Sequence, residues 1–249
     1  MIQLKTDKEI LEMRKAGELT YELLDLVASM IKPGISTQEI NDVVHEETIR
    51  QGAYPGTLGY RGFKHSCCTS VNDVICHGIP DPNHILKDGD VVNVDISPRL
   101  NGWYGDSSKM FLVGNVAPNA VDLIGCMNDA LHNAIDSVEV GKLINSIGKA
   151  VETTVNGTGY SIVEDFVGHG IGRRFHEHPP IAHHFSPTTT QFRKGMVFTI
   201  EPMINEGTKE WYMLDDGWTV KTLDKMLSVQ AEHTIAINSK GDVEIISCP

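Results

Sequence analysis

Four acidic residues stand where ionised side chains are rarely tolerated. Asp95 closes the run Val-Val-Asn-Val-Asp-Ile-Ser, Glu201 follows Met-Val-Phe-Thr-Ile, and Glu232 lies between Val229-Gln230-Ala231 and His233-Thr234-Ile235-Ala236-Ile237. A carboxylate in such surroundings is costly to desolvate unless something positive meets it. The fourth, Asp106, comes eleven residues after Asp95 across a turn, so two strands would bring both carboxylates together. Two carboxylates in one apolar environment raise each other's pKa, and a divalent cation between them removes the repulsion. A salt bridge would account for one such acid, and a turn cap for Asp106 in Tyr104-Gly105-Asp106-Ser107-Ser108. Four acids with no Lys or Arg immediately beside them fit metal ligation better.

An imidazole completes the set. His169, in Val167-Gly168-His169-Gly170-Ile171-Gly172, sits in what reads as a glycine-flanked loop, where a ring can approach a ligand closely. His77, in Cys76-His77-Gly78-Ile79-Pro80, mirrors it, while His176, His178, His183 and His184 form a denser group that is a weak zinc signal by spacing alone. One histidine and four carboxylates make a hard, oxygen-rich site with enough charge for two divalent ions, of the Mn, Fe(II), Co or Zn kind. Such a site lowers the pKa of a shared water and polarises a carbonyl, which is the chemistry of hydrolysis.

The elements that must position these residues are legible from periodicity. Apolar residues Ile10, Met13, Ala16, Leu19, Leu23, Leu24, Val27 and Met30 predict a helix from Asp7 to Ile31, stopped by Lys32-Pro33-Gly34. Ser36 with Glu39 is a capping box that opens a second helix through about Ile49. Residues Ala53 to Lys64 read as a loop; Cys68 to Val71, Val91 to Ile96 and Met110 to Val113 read as strands, with Pro98 to Gly102 as the turn between the last two. Helices are expected again over Ala120 to Ser137 and Leu143 to Val155, and strands over Val197 to Ile200 and Glu232 to Ile237.

The halves resemble each other. Lys87-Asp88-Gly89-Asp90-Val91-Val92-Asn93-Val94-Asp95 aligns without gaps onto Arg193-Lys194-Gly195-Met196-Val197-Phe198-Thr199-Ile200-Glu201, and His77-Gly78-Ile79 corresponds to His169-Gly170-Ile171. In each half an acid stands six residues after a glycine, at the end of an apolar strand. A duplicated fold places its site between the halves, and the whole reads as one α+β domain over residues 1–249, with halves of about 1–115 and 116–249.

Composition narrows the partners. The 249 residues carry a net charge of −12, which repels nucleic acid and anionic membranes. Five cysteines with no Cys-x-x-Cys spacing suit a reduced, cytoplasmic compartment, and neither a secretory segment nor an 18-residue apolar run is present. A chain of this length buries roughly 70–75% of its unfolded surface, so a metal here is functional and not a staple.

Taken together, Cys76-His77-Gly78, the run Asp-Gly-Asp-Val-Val-Asn-Val-Asp ending at Asp95, Gly105-Asp106-Ser107-Ser108, Gly168-His169-Gly170-Ile171-Gly172 and Thr199-Ile200-Glu201-Pro202-Met203, followed by Glu232-His233-Thr234, resemble the type I methionine aminopeptidases. The resemblance runs from the first helix to the last strands, and ligand spacings of 11, 63, 32 and 31 residues agree with it. It implies the pita-bread fold, two pseudo-symmetric halves with a central antiparallel sheet covered by helices. It further implies that Asp95 chelates one metal, that His169 and Glu201 hold the other, and that Asp106 and Glu232 bridge both. His77 and His176 would contact the peptide and assist proton transfer or the tetrahedral intermediate, with Glu201 shuttling the proton. Tyr60, Phe63, Cys68, Phe175 and Trp218 match positions lining a methionine pocket, with Thr57 at its edge where relatives often carry cysteine. Backbone near Asn72 and Val74, with Ser228, matches a monovalent-cation site of some relatives.

The activity so implied is removal of an N-terminal methionine ahead of a small second residue, on nascent chains, by a cytoplasmic monomer with transient ribosome association. Two other readings compete. A prolidase or aminopeptidase P would carry a long additional N-terminal domain, yet here the first helix begins near residue 7. A non-catalytic pita-bread binding protein would have lost ligands, yet all five positions are filled.

Overall fold

Two capping boxes set the frame. Thr6 and Glu9 exchange side-chain and backbone hydrogen bonds to start helix α1 (Asp7–Met30), and Ser36 and Glu39 do the same for α2 (Thr37–Arg50). The computed structural model describes residues 1–248. Its α1 buries Ile10, Met13, Ala16, Leu23 and Val27 on one face, the stripe expected of a helix laid on a sheet. In the second half α3 (Pro118–Asp136) and α4 (Ser146–Val155) pack together over another sheet.

Every strand pairing is antiparallel. Val91–Ile96 lies between Cys68–Val71 and Ser107–Leu112 in one half; in the other, Val197–Ile200 lies between Gly168–Gly170 and His233–Ile237, with Glu177–Ile181 and Val243–Ile245 outside them. The segments aligned in sequence are therefore the central strands of the two halves. Short three-stranded sheets complete the antiparallel layer. Each half has its own core: Leu23, Val27, Ile40, Val44, Val92 and Val94 beneath α1 and α2, and Leu123, Met127, Leu131, Ile147, Phe198 and Ile235 beneath α3 and α4. Each such buried side chain contributes about 1.5–3 kcal/mol. A third group, including Ile10, Met13, Trp103, Ile171 and Val197, draws on both halves. A single β-bridge between Ser108 and Glu232 joins the two sheets directly.

The structure corrects several local expectations. Pro98 to Gly102 is not a simple turn but part of a second small hairpin, Pro98–Leu100 against Trp103–Tyr104, with Asn101 and Gly102 at φ of 52° and 83°. Leu143 to Asn145 do not join α4, because Leu143 pairs with Gln191 and the Ile144 N–H donates to the Thr190 carbonyl. The stretch 53–64 is not wholly loop: Tyr54–Pro55 pairs with Pro98–Leu100, and Tyr60–Gly62 forms a short 3-10 turn. His169 lies on the strand Gly168–Gly170 and not in a loop, since its flanking glycines let neighbouring backbone close in: a Cβ on Gly170 would sit 2.3 Å from the His178 carbonyl oxygen.

Candidate metal centre

Strand register gathers the acids. Asp95 sits opposite Cys68 on one side and Ser108 on the other, and Ser108 bridges to Glu232. Ile200 is paired with His233, so Glu201 leaves its strand beside the point where Glu232 enters the partner strand. Asp106 immediately precedes Ser107–Leu112. Only Asp95 lies within a regular strand; Asp106, Glu201 and Glu232 stand at strand ends, where a side chain can turn toward the interior of the site.

These residues converge with His169. The His169 Nε2 is 3.5 Å from an Asp106 oxygen and 3.8 Å from Glu201, and Asp106, His169 and Glu232 offer donor atoms all within 4.8 Å of one another. Asp95 Oδ1 and Glu232 Oε1 are buried with no hydrogen-bond partner. Among the described residues no Lys or Arg forms an ion pair with any of the four acids. Four desolvated carboxylates that share one imidazole and no Lys or Arg, two of them with orphaned oxygens, are a donor set that fits divalent metal.

The electrostatics carry the same signature. Burial raises Asp95 and Glu232 well above the usual carboxylate range, and neighbouring carboxylates push them further. Burial also lifts Glu201 to about 7, against the opposing charge of His169. Desolvation would lower His169, but the hydrogen bond to Asp106 and the charges of Glu201 and Asp106 outweigh it and raise the imidazole to about 9. Without metal, the cluster therefore retains protons at neutral pH that free carboxylates would lose. His176 is driven the other way, to about 3, by desolvation and by the fields of His169, Arg61 and His77, so it is neutral at physiological pH. Burial lowers His77 as well.

A cavity of about 260 Å³ unites the set. Its lining contains Asp95, Asp106, His169, Glu201 and Glu232 together with His77, His176, Tyr60, Phe63, Cys68, Phe175, Trp218 and Thr57. The aromatic rings interlock: Tyr60 stacks on His176 at 5.0 Å, Phe63 meets Trp218 edge-on at 5.1 Å, and His169 lies 4.1 Å from His176 between ring centroids. His77 is held at φ 57°, a conformation few non-glycine residues adopt, and meets Trp218 edge-on. Thr57 donates to the His65 carbonyl at 2.9 Å. Asn72, Val74 and Ser228 stand apart from this lining: the Ser228 N–H donates to the Asn72 carbonyl, and Ser228 Oγ is buried without a partner.

Several supporting residues escaped sequence reasoning. Thr199 Oγ1 donates to Glu201 at 2.7 Å and accepts from the His169 N–H at 3.0 Å. Ser97 donates to Asp106 at 2.7 Å, and Gln230 to Glu201 at 3.3 Å. The Glu201 N–H donates to Nε2 of the buried His183 at 2.9 Å, which gives one member of the His176–His184 group a definite task. Phe166, Met203 and Arg61 also line the cavity. Their only sequence signal is position: Thr199 and Gln230 lie two residues before an acid already singled out.

Comparison with known proteins agrees with this geometry. The model of metallopeptidase family M24 matches residues 12–239. The chain belongs to that family. It is 47% identical over 247 residues to methionine aminopeptidase A of Synechocystis sp., covering 99% of this chain and 97% of the relative. The crystal structure of methionine aminopeptidase from Rickettsia prowazekii superposes with a TM-score of 0.96 at 43% identity, covering 99% of this chain and all of that one. The fold is thus the pita-bread fold of family M24. An Xaa-Pro dipeptidase from Bacillus anthracis shares the fold at TM-score 0.79 with 21% identity, and this chain spans 61% of its length. As a member of a metallopeptidase family, the chain binds divalent metal.

Proposed function

We propose that the chain is a methionyl aminopeptidase, a metal-dependent hydrolase that removes the N-terminal methionine from proteins and peptides whose second residue is small. The observation that carries this reading is the shared cavity, in which the five metal-ligand candidates and the aromatic pocket line one space. Asp95, Asp106, His169, Glu201 and Glu232 would hold two divalent ions, of Mn, Fe(II), Co or Zn. Metal at this position supplies Lewis-acid polarisation of a carbonyl and a water of lowered pKa.

The protein's own groups do the rest. Tyr60, Phe63, Cys68, Phe175 and Trp218 enclose the methionine side chain, which fixes the first peptide bond beside the acids. Glu201 takes a proton from water at its carboxylate and returns it to the leaving amine. His176, neutral and stacked on Tyr60, donates to the carbonyl oxygen as charge develops there. His77, rigid between Cys76 and Gly78, orients the peptide. The chain works as one catalytic domain over residues 1–249, as a cytoplasmic monomer acting on nascent N-termini near the ribosome. Asn72, Val74 and Ser228 hold a monovalent cation; the unpartnered Ser228 Oγ supports that site.

Turnover of Met-Ala-Ser, Met-Leu-Ser and Pro-Ala-Ser by metal-stripped protein resupplied anaerobically with each ion tests the proposal. Release of methionine from Met-Ala-Ser alone, and only with metal, is the expected result. Binding of two ions without turnover of any peptide would favour a non-catalytic binding protein, and cleavage of the proline peptide a prolidase-like enzyme.

A further inference from the structure

The catalytic cavity is small, and a methionine side chain with its first amide bond fills much of it. The remainder of a protein substrate must leave by another way. A second cavity of about 680 Å³ adjoins the first, and the two share Val167, His169 and His176 in their linings. A chain leaving the scissile bond across His176 therefore enters this second space.

The charged groups lining it are the Met1 amine, Lys5, Glu9, Arg173, Arg174 and Glu177, besides the histidines. Both carboxylates are already engaged. Glu177 accepts from Lys5 Nζ at 2.5 Å and from the Arg174 backbone N–H at 3.2 Å, and Glu9 closes the capping box of α1 with Thr6. Neither guanidinium forms such a pair: among the described residues, no carboxylate oxygen lies within 4.0 Å of the Arg173 or Arg174 guanidinium, although the charge of Arg173 reaches Glu9 and helps lower its pKa. Elsewhere Arg14 and Arg50 do pair with acids, as a chain of net charge −12 allows. The Arg173 guanidinium carbon lies over the Trp103 ring, 4.1 Å from its centroid, a contact with the ring face that does not use up its N–H donors. Arg173 and Arg174 are both exposed, so their charges face the cavity and solvent.

We propose that this second cavity is the subsite for substrate residues beyond the second, and that Arg173 and Arg174 make it select acidic segments. The assignment rests on the peptidase reading above. Two exposed guanidinium–carboxylate contacts, set against repulsion of a basic segment, amount to a preference of about tenfold in kcat/KM. Screening reduces it at high salt.

The test compares Met-Ala-Ser-Glu-Glu-Ser with Met-Ala-Ser-Lys-Lys-Ser on metal-loaded enzyme at low and high NaCl, with Met-Ala-Ser alongside. The glutamate peptide should be favoured about tenfold at low salt, mainly through KM, and the ratio should fall toward one at high salt. The double variant Arg173→Ala/Arg174→Ala should collapse the ratio, whereas Arg50→Ala, which removes one charge on α2 as Arg174→Ala does in the cavity, should retain it. Arg174→Glu, which leaves Arg173 on Trp103, should shift the ratio further toward the lysine peptide than Arg174→Ala does. Equal turnover of both peptides by the unmodified enzyme, a preference surviving in the double variant, or an equal loss in Arg50→Ala would overturn the subsite alone. No turnover of any peptide, Met-Ala-Ser included, would remove the peptidase reading and the subsite with it.

Discussion

Stripping the metal should make the protein's stability fall, relative to the metal-loaded form, as pH rises through neutrality. The reason lies in His169, whose imidazole the Asp106 and Glu201 carboxylates raise from 6.5 to about 9. The folded metal-free protein holds this proton more tightly than the unfolded chain, so the associated stability is fully present below pH 6.5 and is lost as pH climbs through 9. A shift of that size is worth about 3 kcal/mol in all, of which about 1–2 kcal/mol disappears between pH 6.5 and 8. Glu201, raised to about 7, acts in the same direction and brings the total fall across this window to about 2 kcal/mol. Opposing groups are common to both forms: His176, His183 and His233, lowered to about 3, 3 and 4 by burial, are half protonated at pH 6.5 only in the unfolded chain, so each adds back about 0.4 kcal/mol by pH 8 whether or not metal is bound, and His77, also lowered, acts in the same sense. Urea unfolding of metal-stripped and metal-loaded protein at pH 6.5, 7.2 and 8 reads the effect. Relative to the loaded form, whose ligands are already deprotonated and which shares the other histidines, the stripped form should lose about 2 kcal/mol. Equal slopes for the two forms would refute the reasoning, as would a His169→Gln variant with the slope of the unmodified apoprotein.

Other outcomes follow from single residues. Glu201→Gln should lower kcat for Met-Ala-Ser by about 10²–10⁴ while circular dichroism stays unchanged; full turnover would remove Glu201 from its proton-transfer role. Lys5→Met leaves Glu177 buried and unpaired, and should cost about 3–5 kcal/mol in urea unfolding. Gly17→Ala places a Cβ 1.9 Å from the Ile246 carbonyl oxygen, so despite the better helix former it should destabilise by about 1–3 kcal/mol.

The sequence by itself determined the elements and the chemistry of the site. Local signals set the helices, because the Ser36–Glu39 box and the apolar stripe of α1 act over one to a few turns of chain. The candidate ligands were marked equally early, since acids at Asp95, Glu201 and Glu232 within apolar runs carry a desolvation cost that only a partner of opposite charge removes. The internal repeat foretold the two central strands, Val91–Ile96 and Val197–Ile200.

Tertiary structure alone decided how those residues meet. The Ser108–Glu232 bridge spans 124 positions, and no local pattern encodes a pairing of that range. The short strands around Gly168–Gly170 and Ser228–Gln230 have too few residues for periodicity to register; neighbouring backbone supplies their hydrogen bonds. The supports of the site were hidden for the same reason: Thr199, Ser97 and His183 are ordinary residues until folding sets their polar atoms against Glu201, His169 and Asp106. The unpaired Arg173 and Arg174 belong in this class too. Any sequence shows two adjacent arginines, but that the nearby acids are already engaged elsewhere is a fact of three-dimensional pairing.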